Sequence, residues 1–117
     1  MRYLLLIYSA EQDQPRPGTP DLERVMAGHA ELRKRLDERN AFLGAERLQG
    51  VNTARSVRVR NGQRLVSDGP FAETKEQLGG YYLIEAKDQA EATEYAAMIP
   101  LPPAGGTVEV RPVLQFA

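Results

Sequence analysis

The chain has a single histidine, His29, and no cysteine. His29 falls on an apolar stripe of Leu22, Val25, His29, Leu32 and Leu36, whose steps of three and four follow one face of a helix. An aliphatic residue is the usual occupant of such a position, so the stripe aims the imidazole at a sheet or at the edge of a cleft. An imidazole titrates near neutrality and suits proton transfer in either direction. The plainer reading is a structural histidine bonded to a backbone carbonyl, and periodicity weighs the two evenly. Asp68 is the second candidate, in Ser67-Asp68-Gly69-Pro70-Phe71-Ala72-Glu73-Thr74-Lys75-Glu76. It stands where a strand runs into a turn fixed by Gly and Pro, and a turn on a rigid strand is a good mount for a reactive carboxylate. Asp68 either orients His29, acts as a base itself, or closes an Asx-turn on the backbone ahead. Glu73 and Glu76 read as a solvated loop.

Arg55, Arg58, Arg60 and Arg64 cluster with no acid from Thr53 to Ser67, whereas acids dominate between Asp68 and Glu94. Guanidinium groups bind carboxylate or phosphate in bidentate fashion. The same arginines also suit pairing with the acidic loop, contact with a partner subunit, or protection of a strand edge. Gly79-Gly80 is not followed by the Lys-Ser/Thr of a phosphate loop. Gly105-Gly106 precedes a strand pattern rather than a helix, so it is no dinucleotide fingerprint. Tyr3, Tyr8, Tyr81, Tyr82 and Tyr95 read mainly as core or interface.

Composition narrows the chemistry further. A length of 117 residues fits one domain, taken as residues 1–117. Without cysteine there is no disulfide, iron–sulfur cluster, thiolate zinc site or cysteine nucleophile, and one histidine cannot supply a multi-His zinc site. We expect no metal and no cofactor. Fifteen Lys+Arg against 16 Asp+Glu give a net charge of -1, which argues against a dedicated nucleic-acid binder. The opening Met-Arg-Tyr-Leu-Leu-Leu-Ile-Tyr is far below the roughly 18 apolar residues of a membrane span. It also lacks the cleavage pattern of a signal peptide. A cytoplasmic setting fits.

The elements that must position these residues are legible in outline. Arg2–Tyr8 reads as a buried strand. Thr19 caps a helix with Pro20 at its first position, and Asn40 suits its left-handed stop. Gly28 lies inside that helix, where it costs about 1 kcal/mol against Ala unless a neighbour approaches closely. Residues 42–48 enter the sheet. Ser56–Arg60 and Gln63–Ser67 flank Asn61-Gly62, the preferred type I′ hairpin turn. Residues 81–86 form a further strand, Asp88 and Glu91 a capping box for a second helix that ends at Pro100, and residues 107–113 a last strand. This order predicts an α+β, ferredoxin-like βαββαβ sandwich with an extra hairpin. One sheet face is left without helices and carries some of Tyr3, Leu5, Tyr81, Leu83 and Val110. Pairing that face with a second subunit predicts a homodimer.

Asp68-Gly69-Pro70-Phe71, extended through Gly79-Gly80-Tyr81-Tyr82-Leu83-Ile84, resembles the hallmark of the DGPF group within the YCII-related family. The opening strand, residues 53–59 and residues 106–113 are similar to it as well. The resemblance implies a dimeric α/β barrel and enzymatic activity through a His–Asp pair, with His29 matching the His and Asp68 taken as the Asp. It also implies an association of some members with alternative sigma factors. The stretch Ile99-Pro100-Leu101-Pro102-Pro103-Ala104 is more proline-rich than the family pattern. On this basis we expect metal-free acid–base chemistry, isomerase- or lyase-like, on a small polar or anionic metabolite. His29 would move the proton and Asp68 orient it. Arg58 or Arg111 would hold an anionic group, and Tyr82 or Ser67 would donate a hydrogen bond to developing charge. The competing expectations are a non-catalytic ligand-binding or regulatory module that contacts a sigma factor, and a cofactor-free monooxygenase.

Overall fold

The computed structural model describes residues 1–115. Six strands and two helices run in the order β1 (Arg2–Ser9), α1 (Pro20–Glu38), β2 (Phe42–Arg47), β3 (Arg55–Arg60), β4 (Gln63–Asp68), β5 (Gln77–Glu85), α2 (Gln89–Ala97) and β6 (Thr107–Pro112). β2, β5, β1 and β6 lie side by side in that order, and every neighbouring pair is antiparallel. With the β3–β4 hairpin set aside, this is the ferredoxin-like α+β arrangement that the sequence predicts. No helix among the described residues is long and apolar enough to cross a membrane.

Local chemistry fixes the helix ends. The Thr19 hydroxyl accepts from the Leu22 backbone N–H, and Pro20 opens α1. Asn40 takes φ 54° just past the helix, the left-handed conformation that asparagine tolerates. Before α2, the Asp88 carboxylate accepts from Glu91 N–H at 2.9 Å while Glu91 accepts from Lys87 N–H at 3.1 Å. Gly28 is explained by packing: a Cβ there would lie 2.9 Å from the Pro100 ring. The proline-rich segment after α2 is therefore seated directly on α1.

Alternation sorts the sheet into two faces. Tyr3 and Leu5 of β1, Tyr82 and Ile84 of β5 and Val110 of β6 face the helices, where they meet Leu32, Leu36, Ala92 and Tyr95 in the core. Leu4, Leu6, Tyr81 and Leu83 occupy the opposite face. Of the residues expected on the helix-free face, Tyr81 and Leu83 are there, whereas Tyr3, Leu5 and Val110 belong to the core. β5 also begins earlier than expected, at Gln77, and takes in both Gly79 and Gly80. Gly80 fits the strand interior because the Glu46 carbonyl oxygen would sit 2.8 Å from any Cβ built there.

The hairpin stands apart. β3 and β4 pair only with each other and form a separate two-stranded sheet. Its Asn61-Gly62 turn has φ 51° and 77°, the positive pair that a type I′ turn requires. Val57, Val59, Leu65 and Val66 are all at least half exposed. The radius of gyration is 16.2 Å, against about 13 Å for a compact domain of this length. The chain spans 48 × 46 × 18 Å, a flat body with a projecting arm.

Candidate active site

A cavity of about 610 Å³ opens between the first half of α1 and one end of the sheet. Leu22, Val25, Met26 and His29 of α1 form its roof, and Pro100, Leu101 and Pro102 close one side. Its floor is the helix-facing side of the sheet: Ile7, Ala45, Arg47, Gly80 and Tyr82. Gly80 leaves the floor open, since a larger residue in line with Tyr82 and Ile84 would project into this space. The volume falls within the range of small-molecule pockets, and the wall is mostly apolar with a few polar groups, as such pockets are.

His29 comes down from α1 and Tyr82 up from β5. His29 Nδ1 and the Tyr82 hydroxyl oxygen lie 2.6 Å apart, and the two rings stack with centroids 5.8 Å apart. Burial pushes the His29 pKa below its ordinary 6.5, and the positive charge of Arg47 lowers it further. Burial raises the Tyr82 pKa and outweighs the charge of Arg33, which acts the other way. At neutral pH the pair is thus a neutral imidazole against an intact phenol. One proton lies between the two atoms. With it on Nδ1, His29 donates to the phenol oxygen, the phenol hydrogen is free for a ligand, and Nε2 keeps a basic lone pair.

The other sequence-derived candidates lie elsewhere. Asp68 ends β4 on the hairpin, is 92% exposed and pairs with Arg55 at 3.4 Å. A carboxylate so exposed touches little, and within one chain the partner of His29 is Tyr82 rather than Asp68. The cause is the hairpin, which forms its own sheet and carries Asp68 away from the floor. Arg58 and Ser67 are exposed on the same hairpin, and the Ser67 backbone lies opposite Ser56. Arg111 of β6 lies opposite Leu4, on the helix-free face, and pairs with Glu109 at 2.6 Å. Only His29 and Tyr82 of the expected set are brought together.

Arg47 was missed. It lies opposite Gly80 in the register, two residues from Ala45 and hence on the same face. It lines the cavity and has no ion-pair partner among the described residues. Strand alternation from Ala45 would have found it, once the inward face of β2 was known. Among the described residues no three His, Asp or Glu side chains gather as metal ligands would.

With fold and cavity in place, comparison with known proteins identifies the class. The YCII-related domain matches residues 1–117, and the chain belongs to that family. It is 35% identical over 117 residues to an uncharacterized protein of Rhizobium meliloti (strain 1021), across 99% of this chain and 94% of that protein.

Proposed function

We propose that His29 and Tyr82 form an acid–base pair that moves a proton next to a carbonyl group, as in an isomerisation or an elimination. The observation that carries this reading is the 2.6 Å contact between His29 Nδ1 and the Tyr82 oxygen at the wall of the cavity. His29 takes a proton from the carbon beside the carbonyl, and the electron pair of that C–H bond moves toward the carbonyl oxygen. The Tyr82 hydroxyl donates to that oxygen as charge develops, and its raised pKa keeps the hydrogen available. Return of the proton to a different carbon completes an isomerisation; loss of a leaving group completes an elimination. The test is turnover of a panel of small carbonyl compounds. Replacing His29 with Gln is expected to lower the rate by about 10²–10⁴-fold. Turnover retained by H29Q overturns the assignment.

We further propose a cytosolic homodimer of the DGPF type. Leu4, Leu6, Tyr81 and Leu83 make an apolar patch on the sheet face that no helix among the described residues covers, and a second copy offers the same surface in return. The exposed hairpin supports a second reading, a module that docks on another protein such as an alternative sigma factor. Its Val57, Val59, Leu65 and Val66 are unusually exposed for a strand pair, and an isolated hairpin is at best marginally stable in water. Recovery of a sigma factor from native lysate by the full chain, together with a one-chain mass in solution, favours that second reading over the dimer.

A further inference from the structure

The polar groups of the cavity wall differ sharply in what they have left to offer a ligand. Ser9 and Gln14 are bonded to each other, with Gln14 Nε2 donating to Ser9 Oγ at 2.5 Å. Glu11 accepts from the Val51 backbone N–H at 2.9 Å. The Gln77 amide donates to the Thr74 carbonyl and accepts from Glu11 N–H. Glu46 lies opposite Tyr81 in the register, and alternation turns both side chains to the other face. Among the described residues, His29 and Tyr82 bond only to each other, and the guanidinium of Arg47 is the cationic group of the wall without an ion-pair partner. Around them the wall is aliphatic, from Leu22, Val25 and Met26 to Pro100 and Leu101.

We propose that this cavity takes a small monocarboxylate with an apolar body, and that Arg47 is the residue that holds the carboxylate. Arg47 stands one register step from Tyr82 along the sheet floor, because Gly80 faces Arg47 and Tyr82 faces Ala45. A carboxylate forked on Arg47 therefore lies beside the His29–Tyr82 pair, with the apolar body under the α1 roof. A planar guanidinium matches a carboxylate with two parallel N–H···O bonds. One arginine balances one negative charge, and Glu11 on the same wall disfavours a phosphate dianion. The inference deepens the acid–base reading above, since it names the substrate class of that same cavity. It also moves the anion-holding role from Arg58 and Arg111, which the fold places outside the cavity, to Arg47.

Binding is read directly, by calorimetric titration of the full chain with octanoate and with 1-octanol, which share an apolar body and differ in the head group. The native chain is expected to bind octanoate at least 10-fold more tightly than 1-octanol. Arg47→Gln is expected to weaken octanoate by about 10-fold or more, the size of one charge-assisted interaction. The same substitution is expected to leave 1-octanol unchanged. Arg47→Lys keeps the charge without the fork and is expected to fall between the two. Arg47 is exposed at a strand end, and a circular dichroism melt confirms that both variants fold. Octanoate held by R47Q as tightly as by the native chain, or by the native chain no more tightly than 1-octanol, overturns the proposal. Either result leaves the proton-transfer reading standing, because that reading is tested by turnover in H29Q.

Discussion

Burial and the charge of Arg47 both favour a neutral His29, and a neutral imidazole is ready to accept a proton. Its folded pKa lies below the ordinary 6.5, so kcat/KM is expected to rise with pH through a midpoint below 6.5. The same shift has a sign for stability. An unfolded chain protonates His29 near 6.5 while the folded chain resists, so this contribution is full above 6.5. It is lost as pH falls through the folded pKa. Urea midpoints of the native chain are expected to drop over that window and those of H29Q to drop less. As the chain has one histidine, its NMR titration needs no assignment, and Tyr82→Phe is expected to move the midpoint. Replacing Arg47 with Gln is expected to raise it. His29 could be picked from sequence because an imidazole interrupts a leucine stripe. Its partner could not, because the choice between Asp68 and Tyr82 depends on which face of β5 turns inward and on where the hairpin carries its strand end.

Turns and caps account for most of what could be read at the level of elements. Thr19, Asn40, Asn61-Gly62 and the Asp88–Glu91 pair act through a few neighbouring residues, so their type and spacing suffice. Asp88→Ala is expected to cost about 1 kcal/mol in thermal or urea denaturation, the usual loss for an N-cap. Gly28 is a sharper test, because two effects oppose. Alanine gains about 1 kcal/mol in helix propensity, but its Cβ would meet the Pro100 ring at 2.9 Å. Forced overpacking costs typically about 1–3 kcal/mol, so Gly28→Ala is expected to destabilise despite the better propensity. A melting temperature raised by G28A would show that Pro100 yields freely. β5 starts earlier than its sequence pattern suggests for a related reason. Glycine pairs usually mark turns, and only the close approach of the Glu46 carbonyl explains Gly80 inside a strand.

The whole molecule is a thin layer of helices on a sheet whose other face carries no helix among the described residues and presents Leu4, Leu6, Tyr81 and Leu83 beside Glu46, Glu109 and Arg111. If a second copy covers that face, light scattering at micromolar concentration reads the mass of two chains. Leu83→Glu, at the centre of the face, is expected to reduce it to one. A native chain already at one-chain mass overturns the dimer. The element order foretold the sandwich because βαββαβ has few compact solutions. Isolation of the hairpin is hidden in the sequence, since the alternating valines and arginines of β3 would equally suit a strand of the main sheet. Strand order also has a consequence for biosynthesis. β1 is translated before the other elements of this domain, yet its neighbours β5 and β6 are among the last. At about 5–20 residues per second, Gln77 follows Ser9 through the ribosome by several seconds. During that interval the future centre of the sheet is an apolar segment with both edges unsatisfied. The period of greatest exposure to aggregation is therefore set by the pace of translation rather than by the stability of the finished fold.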